Sequence, residues 1–107
     1  MADNIKRAYV AKKHGEALRA KLTEGLAEAD KDNKLRGLVY QLLNAVSLGN
    51  REKFLELLLR TYAGSGQPVP DIFFSCFESD ESFKEIGFAY LLGLKSELYK
   101  KEEVNAQ

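Results

Sequence analysis

"RTYAGSGQPVPDIFFSCF", residues 60–77, decides between two folds. Its Gly64-Ser65-Gly66 would cradle a phosphate if a strand preceded it and Gly-Lys-Ser/Thr followed the glycines, and the chain would then be an α/β protein. A leucine-rich helical pattern precedes it instead, and "QPVP" follows. The glycines can end that helix in left-handed conformations, and Pro68 and Pro70 prevent its continuation. Pro70 can stand in the first turn of a new helix through Phe73, Cys76 and Phe77. A short buried strand over "IFFSCF" is the alternative, although polar and apolar residues do not alternate there. The stretch therefore reads as a handover between helices.

Working outward, the preceding helix carries Phe54, Leu55, Leu58, Leu59 and Tyr62 at helical spacing, with Asn50 as its N-cap. Before it, Leu35, Leu38, Val39, Leu42 and Val46 give another apolar face that ends near Gly49. So short a link predicts an antiparallel hairpin. On the other side, "ESDES" caps a last helix whose inner face runs through Phe83, Ile86, Gly87, Tyr90, Leu94 and Leu98. Gly87 and Gly93 each weaken that helix by roughly 1 kcal/mol relative to alanine, which points to close packing at both.

The first 30 residues read as one long helix. Ala8, Ala11, Gly15, Leu18, Leu22, Leu26 and Ala29 share one face, and the polar run "EADKDNK" closes it. Its small residues would admit another helix at close range. With about 100° per residue, Lys6, Arg7, Lys13, His14 and Lys21 form a basic stripe on the neighbouring sector. These patterns predict an all-α fold, a single compact bundle of four or five helices over residues 1–107, with a long first helix and a frayed end at about 100–107.

The 107 residues suit one modest core, and neither a membrane span nor a secretory leader is legible, so the expectation is a soluble cytoplasmic protein with no membrane association. Cys76, the single cysteine, sits among phenylalanines and reads as a buried thiol. The net charge is zero but unevenly spread. Residues 1–36 hold nine Lys or Arg against six Asp or Glu, and residues 71–107 hold four against eight. Such sorting suits a subunit with one face toward an anion and another toward protein.

Catalysis has little to draw on. One His and one Cys stand far apart, no carboxylate is placed in sequence to orient His14, and the acidic pairs Asp30/Asp32 and Asp80/Glu81 suit helix starts. No enzyme activity, metal site or cofactor is expected. Binding remains. Arg36 and Tyr40 stand one turn apart on the edge of the second helix, and Arg51 and Lys53 open the third. Together with Lys6, Arg7, Lys13 and Lys21 they are the candidate nucleic-acid contacts, with cations on phosphates and the ring on a base.

"NKLRGLVYQLLNA", "GNREKFLELLLRTY", "GQPVPDIF" and "FKEIGFAYLLGL" follow one another between Asn33 and Leu94, with "GEALRAKL" a weaker match upstream. In that order the chain resembles the carboxy-terminal helical region of the large subunit of type I-B CRISPR Cascade complexes. That region is also made separately, as a small subunit, through an internal start in the large-subunit gene. The resemblance implies a non-catalytic helical subunit of an antiviral, RNA-guided complex. Its implied partners are the Cascade large subunit, the backbone subunits, guide RNA and target DNA within the complex, and additional copies of itself. It would support assembly and steady the guide-target duplex or the displaced strand of the R-loop, while the guide reads sequence by base pairing. A helical protein-protein adaptor without nucleic-acid contact is the alternative.

Overall fold

The computed structural model describes residues 2–95, and within them the chain is an all-α bundle. Four α-helices, α1 (Ala2–Leu22), α2 (Glu28–Ser47), α3 (Arg51–Ser65) and α4 (Asp80–Leu94), are joined by a 3₁₀ helix at Asp71–Phe77, between α3 and α4. The expected fraying at 100–107 and the place of Leu98 lie outside the described residues.

Helix α1 is shorter than its periodicity implies. It stops at Leu22, where the Thr23 hydroxyl donates to the Arg19 carbonyl oxygen (2.6 Å) and Gly25 turns the chain with φ +79°. The run "EADKDNK" forms the first turns of α2 rather than a break, since Glu28 and Asp30 favour the positive end of the helix dipole. Leu26 and Ala29 thus leave the face assigned to α1. The other boundaries fall where capping chemistry puts them. Asn50 Oδ1 accepts from the Lys53 amide (3.1 Å), and Ser79 Oγ from that of Ser82 (3.0 Å).

At the end of α3 the Gly66 amide donates to Ala63 O (3.2 Å) and that of Gln67 to Tyr62 O (3.0 Å), with Gly66 left-handed at φ +73°. This is a Schellman closure. It occupies the amides that a phosphate cradle would need. Gly64 stays helical, and Ser65 Oγ donates to Tyr62 O (3.0 Å). Pro70 stands just before the following helix, which winds as a 3₁₀ helix, and no strand occurs among the described residues.

Helix α4 forms the middle of the bundle, with most of its residues buried between α1, α2 and the 3₁₀ helix. Phe54, Phe83, Phe73 and Tyr90 cluster there, Phe54 edge to face with Phe83 and Tyr90 and tilted on Phe73, and the Phe73 and Tyr90 centroids 4.9 Å apart edge to face. The hydroxyls of Tyr62 and Tyr90 pair at 3.0 Å beside them. Helices α1 and α4 cross where Gly15 meets Gly93. A Cβ on Gly15 would overlap the Tyr90 carbonyl oxygen, and one on Gly93 that of Lys12. Gly87 faces Val46 of α2 instead, 2.7 Å from an added Cβ to Cγ2. Both glycines of α4 thus sit at close contacts, as their cost to the helix implied.

Candidate nucleic-acid and protein interfaces

The eight candidate residues do not form one surface. Lys6, Lys13 and Lys21 point outward from α1, all exposed. Lys13 Nζ lies 5.4 Å from the Tyr9 ring centroid and 3.7 Å from Glu16. The Tyr9 ring is exposed, whereas the Glu16 oxygen that faces Lys13 is buried and accepts no hydrogen bond among the described residues. Arg7, on the same sector, is turned inward: it pairs with Glu78 (2.8 Å) and donates to Ser82 Oγ (3.2 Å). Arg51 likewise pairs with Asp80 and donates to the Cys76 carbonyl oxygen (3.4 Å). These two arginines fasten the 3₁₀ helix and the start of α4 to α1 and α3. Lys53 is exposed in the first turn of α3.

Arg36 and Tyr40 sit elsewhere. Eleven residues separate Arg36 from Ser47 at the end of α2, about 16 Å along the axis. Arg36 and Tyr40 therefore stand away from the α2–α3 turn that carries Arg51 and Lys53. Among the described residues Lys6, Lys21, Arg36 and Lys53 make no ion pair.

Arg36 and Tyr40 border a groove between α2 and α4 that periodicity alone did not reveal. One part, of about 260 Å³, is lined by Asp32, Leu35, Arg36, Val39, Tyr40, Leu43 and Lys95. A second, of about 200 Å³, shares Val39, Leu43 and Lys95 and adds Phe88, Leu91 and Leu92. Tyr40 is 70% exposed, Phe88 41% and Leu92 46%. A wider cleft of about 470 Å³ lies between α1 and the link before the 3₁₀ helix. His14 and Asp71 both line it, without a hydrogen bond between them.

No protein family, curated protein or solved structure matches the chain.

Cys76 is fully buried, and burial pushes its thiol up to about 11, against the opposing pull of the Arg51 charge. The thiol is held protonated at neutral pH, away from the range of reactive cysteines. Among the described residues no three His, Cys, Asp or Glu side chains gather where they could hold a metal ion, and no helix is long and apolar enough to cross a membrane.

Two features escaped the reading of sequence. Phe77, assigned to a buried face, is 56% exposed, and Phe74 is 67% exposed. In a 3₁₀ helix residues three apart eclipse, so Phe73 and Cys76 take the buried side while Phe74 and Phe77 share an outer one. Leu59 is also exposed, with Leu57 buried in its place. The other is Arg19, which lies buried on the apolar side of α1 and donates to the Leu94 carbonyl oxygen (3.1 Å), a cation at the C-terminal end of α4.

Proposed function

We propose that this chain is a non-catalytic small subunit of an RNA-guided type I CRISPR surveillance complex of the Cascade kind, supporting assembly and contacting the guide-target duplex or displaced DNA strand. The sequence resemblance between Asn33 and Leu94 motivates the identity. The observation that carries the nucleic-acid role is the outward set Lys6, Lys13 and Lys21 on α1: Lys6 and Lys21 make no ion pair among the described residues, and Lys13 lies 3.7 Å from Glu16 of its own helix. They lie outside the face packed on α4, so they can meet phosphates without disturbing the core. Arg7 and Arg51 serve the fold in this reading, and Lys53 and Arg36 add separate positive points.

Co-expression with Cascade large and backbone subunits tests the assembly, and the chain should co-purify with them. Within that complex, replacing Lys6, Lys13 and Lys21 by Ala should leave co-purification intact and weaken R-loop formation alike for different targets. Each single-strand phosphate contact releases about 0.7 counterions, so the log-log salt slope should fall by roughly 2. Arg7→Ala should leave the slope unchanged. An unaltered slope in the triple variant would remove α1 from the nucleic-acid face. The apolar groove between α2 and α4 favours the second reading, an adaptor that binds only protein, and failure to bind DNA together with retained co-purification would select it.

A further inference from the structure

From the groove between α2 and α4 we infer a docking site for one amphipathic helix of a partner protein, apolar along its centre and acidic at its ends. This rests on the reading of the chain as a subunit of an assembly, which both forms of the proposed function share. The two helices run antiparallel here: Val46 meets Gly87, Val39 and Leu43 face Phe88, Leu91 and Leu92, and Asp32 and Arg36 lie beside Lys95. The α2 side of the trough, Asp32 to Leu43, is about 16 Å long, three turns of a third helix; α4 walls the Leu43 half, and Lys95 just after α4 closes the Arg36 half. Tyr40 and Leu43 form one wall and Phe88 and Leu92 the other, with Val39 and Leu91 as the floor. A helix presenting apolar residues at i, i+3, i+4 and i+7 would fill such a trough.

Charge selects the chemistry of that helix. At one end stands Arg36, exposed and without an ion pair among the described residues. Beyond the lining at the other end, Lys84 precedes Phe88 by one turn on the same side of α4, again exposed and without one. Asp32, half-buried, is the acidic residue in the lining. An acidic group at each end of the incoming helix would therefore meet an unpaired cation, and a basic one would be repelled. A single-stranded nucleic acid also suits Arg36 and Tyr40, but it leaves the Phe88–Leu92 wall without a partner, whereas a helix covers both walls.

The probe is a fluorescein-labelled helical peptide of about fourteen residues, with leucines at that spacing and glutamates at both ends, beside a twin with lysines in place of the glutamates. Fluorescence anisotropy with the whole protein should show saturable binding of the acidic peptide and weaker binding of the basic one. Leu92→Glu and, separately, Tyr40→Ser should each weaken the acidic peptide about tenfold or more, with circular dichroism confirming the fold. Should Leu92→Glu unfold, Phe88→Gln reads the same wall. Arg36→Glu should narrow or reverse the preference between the twins. Absence of saturable binding, or binding unchanged in the wall variants, would overturn the proposal. So would an oligothymidylate that displaces the peptide, since the groove would then belong to nucleic acid. Dimerisation abolished by Leu92→Glu and unaffected by the peptide would mean that a second copy fills the groove. None of these results alters whether the chain co-purifies with Cascade subunits, so the two readings fail separately.

Discussion

Tyr62 and Tyr90 each bury a hydroxyl, and each hydroxyl has the other as its partner at 3.0 Å. Tyr90→Phe or Tyr62→Phe alone strands one of them and should cost about 1 to 3 kcal/mol, while the double change should cost less than the two singles together. Urea melts of the four proteins measure the coupling. Burial holds both phenols above their usual range, and in Tyr90 the neighbouring phenol adds to the effect. Cys76 behaves alike, at about 11. All three bind protons more tightly folded than unfolded, so stability is fully present below the unfolded values, about 8.5 for thiol and 10 for phenol, and falls as pH rises beyond them. Melts at constant salt should be level from pH 7 to about 8 and decline above, and Cys76→Ala should shallow the decline between 8.5 and 11. A stability that rises over that interval would contradict the burial.

Among the elements, the crossing of α1 on α4 sets the tightest limit. Alanine raises helix propensity by about 1 kcal/mol over glycine wherever space allows. At Gly37, in the exposed interior of α2 with nothing within 4 Å of an added Cβ, Ala should stabilise by about 0.5 to 1 kcal/mol. At Gly15 or Gly93 the same change meets backbone and should cost about 3 kcal/mol or more, because neither wall can rotate away. Gly87→Ala meets the Val46 side chain first and should be eased by Val46→Ala. Thermal melts of these variants give the signs. The glycines of α4 were legible because helices avoid them without cause, and the caps at Asn50 and Ser79 because their chemistry is local. The end of α1 was not: Leu26 and Ala29 continue its spacing, and what stops the helix is the left-handed Gly25, which a period cannot register. Likewise nothing in "IFFSCF" says which phenylalanines face outward until the winding is known. Of the candidate site, the cations could be named from sequence, but not which ones the fold spends on Glu78 and Asp80.

At the scale of the molecule, the bundle is sewn together by contacts of very different reach. Helices α2 and α3 meet across Leu48, Gly49 and Asn50, whereas the crossing of α1 on α4 joins Gly15 to Gly93, 78 positions apart. Closing the longer loop costs roughly 3 kcal/mol more chain entropy than closing the shorter. The hairpin can therefore organise before the chain's two ends find each other, and the order of events should show in rates. Ala45→Gly in α2 and Ala11→Gly in α1 each remove about 1 kcal/mol of helix preference at a buried position. Stopped-flow chevrons should show the first slowing refolding and the second mainly hastening unfolding. Equal effects on both limbs would mean that the ends meet early. If they meet late, the lifetime of the native state is governed by the crossing at Gly15 and Gly93: α1 is the last helix to lock and the first to peel away, carrying Lys6, Lys13 and Lys21 with it.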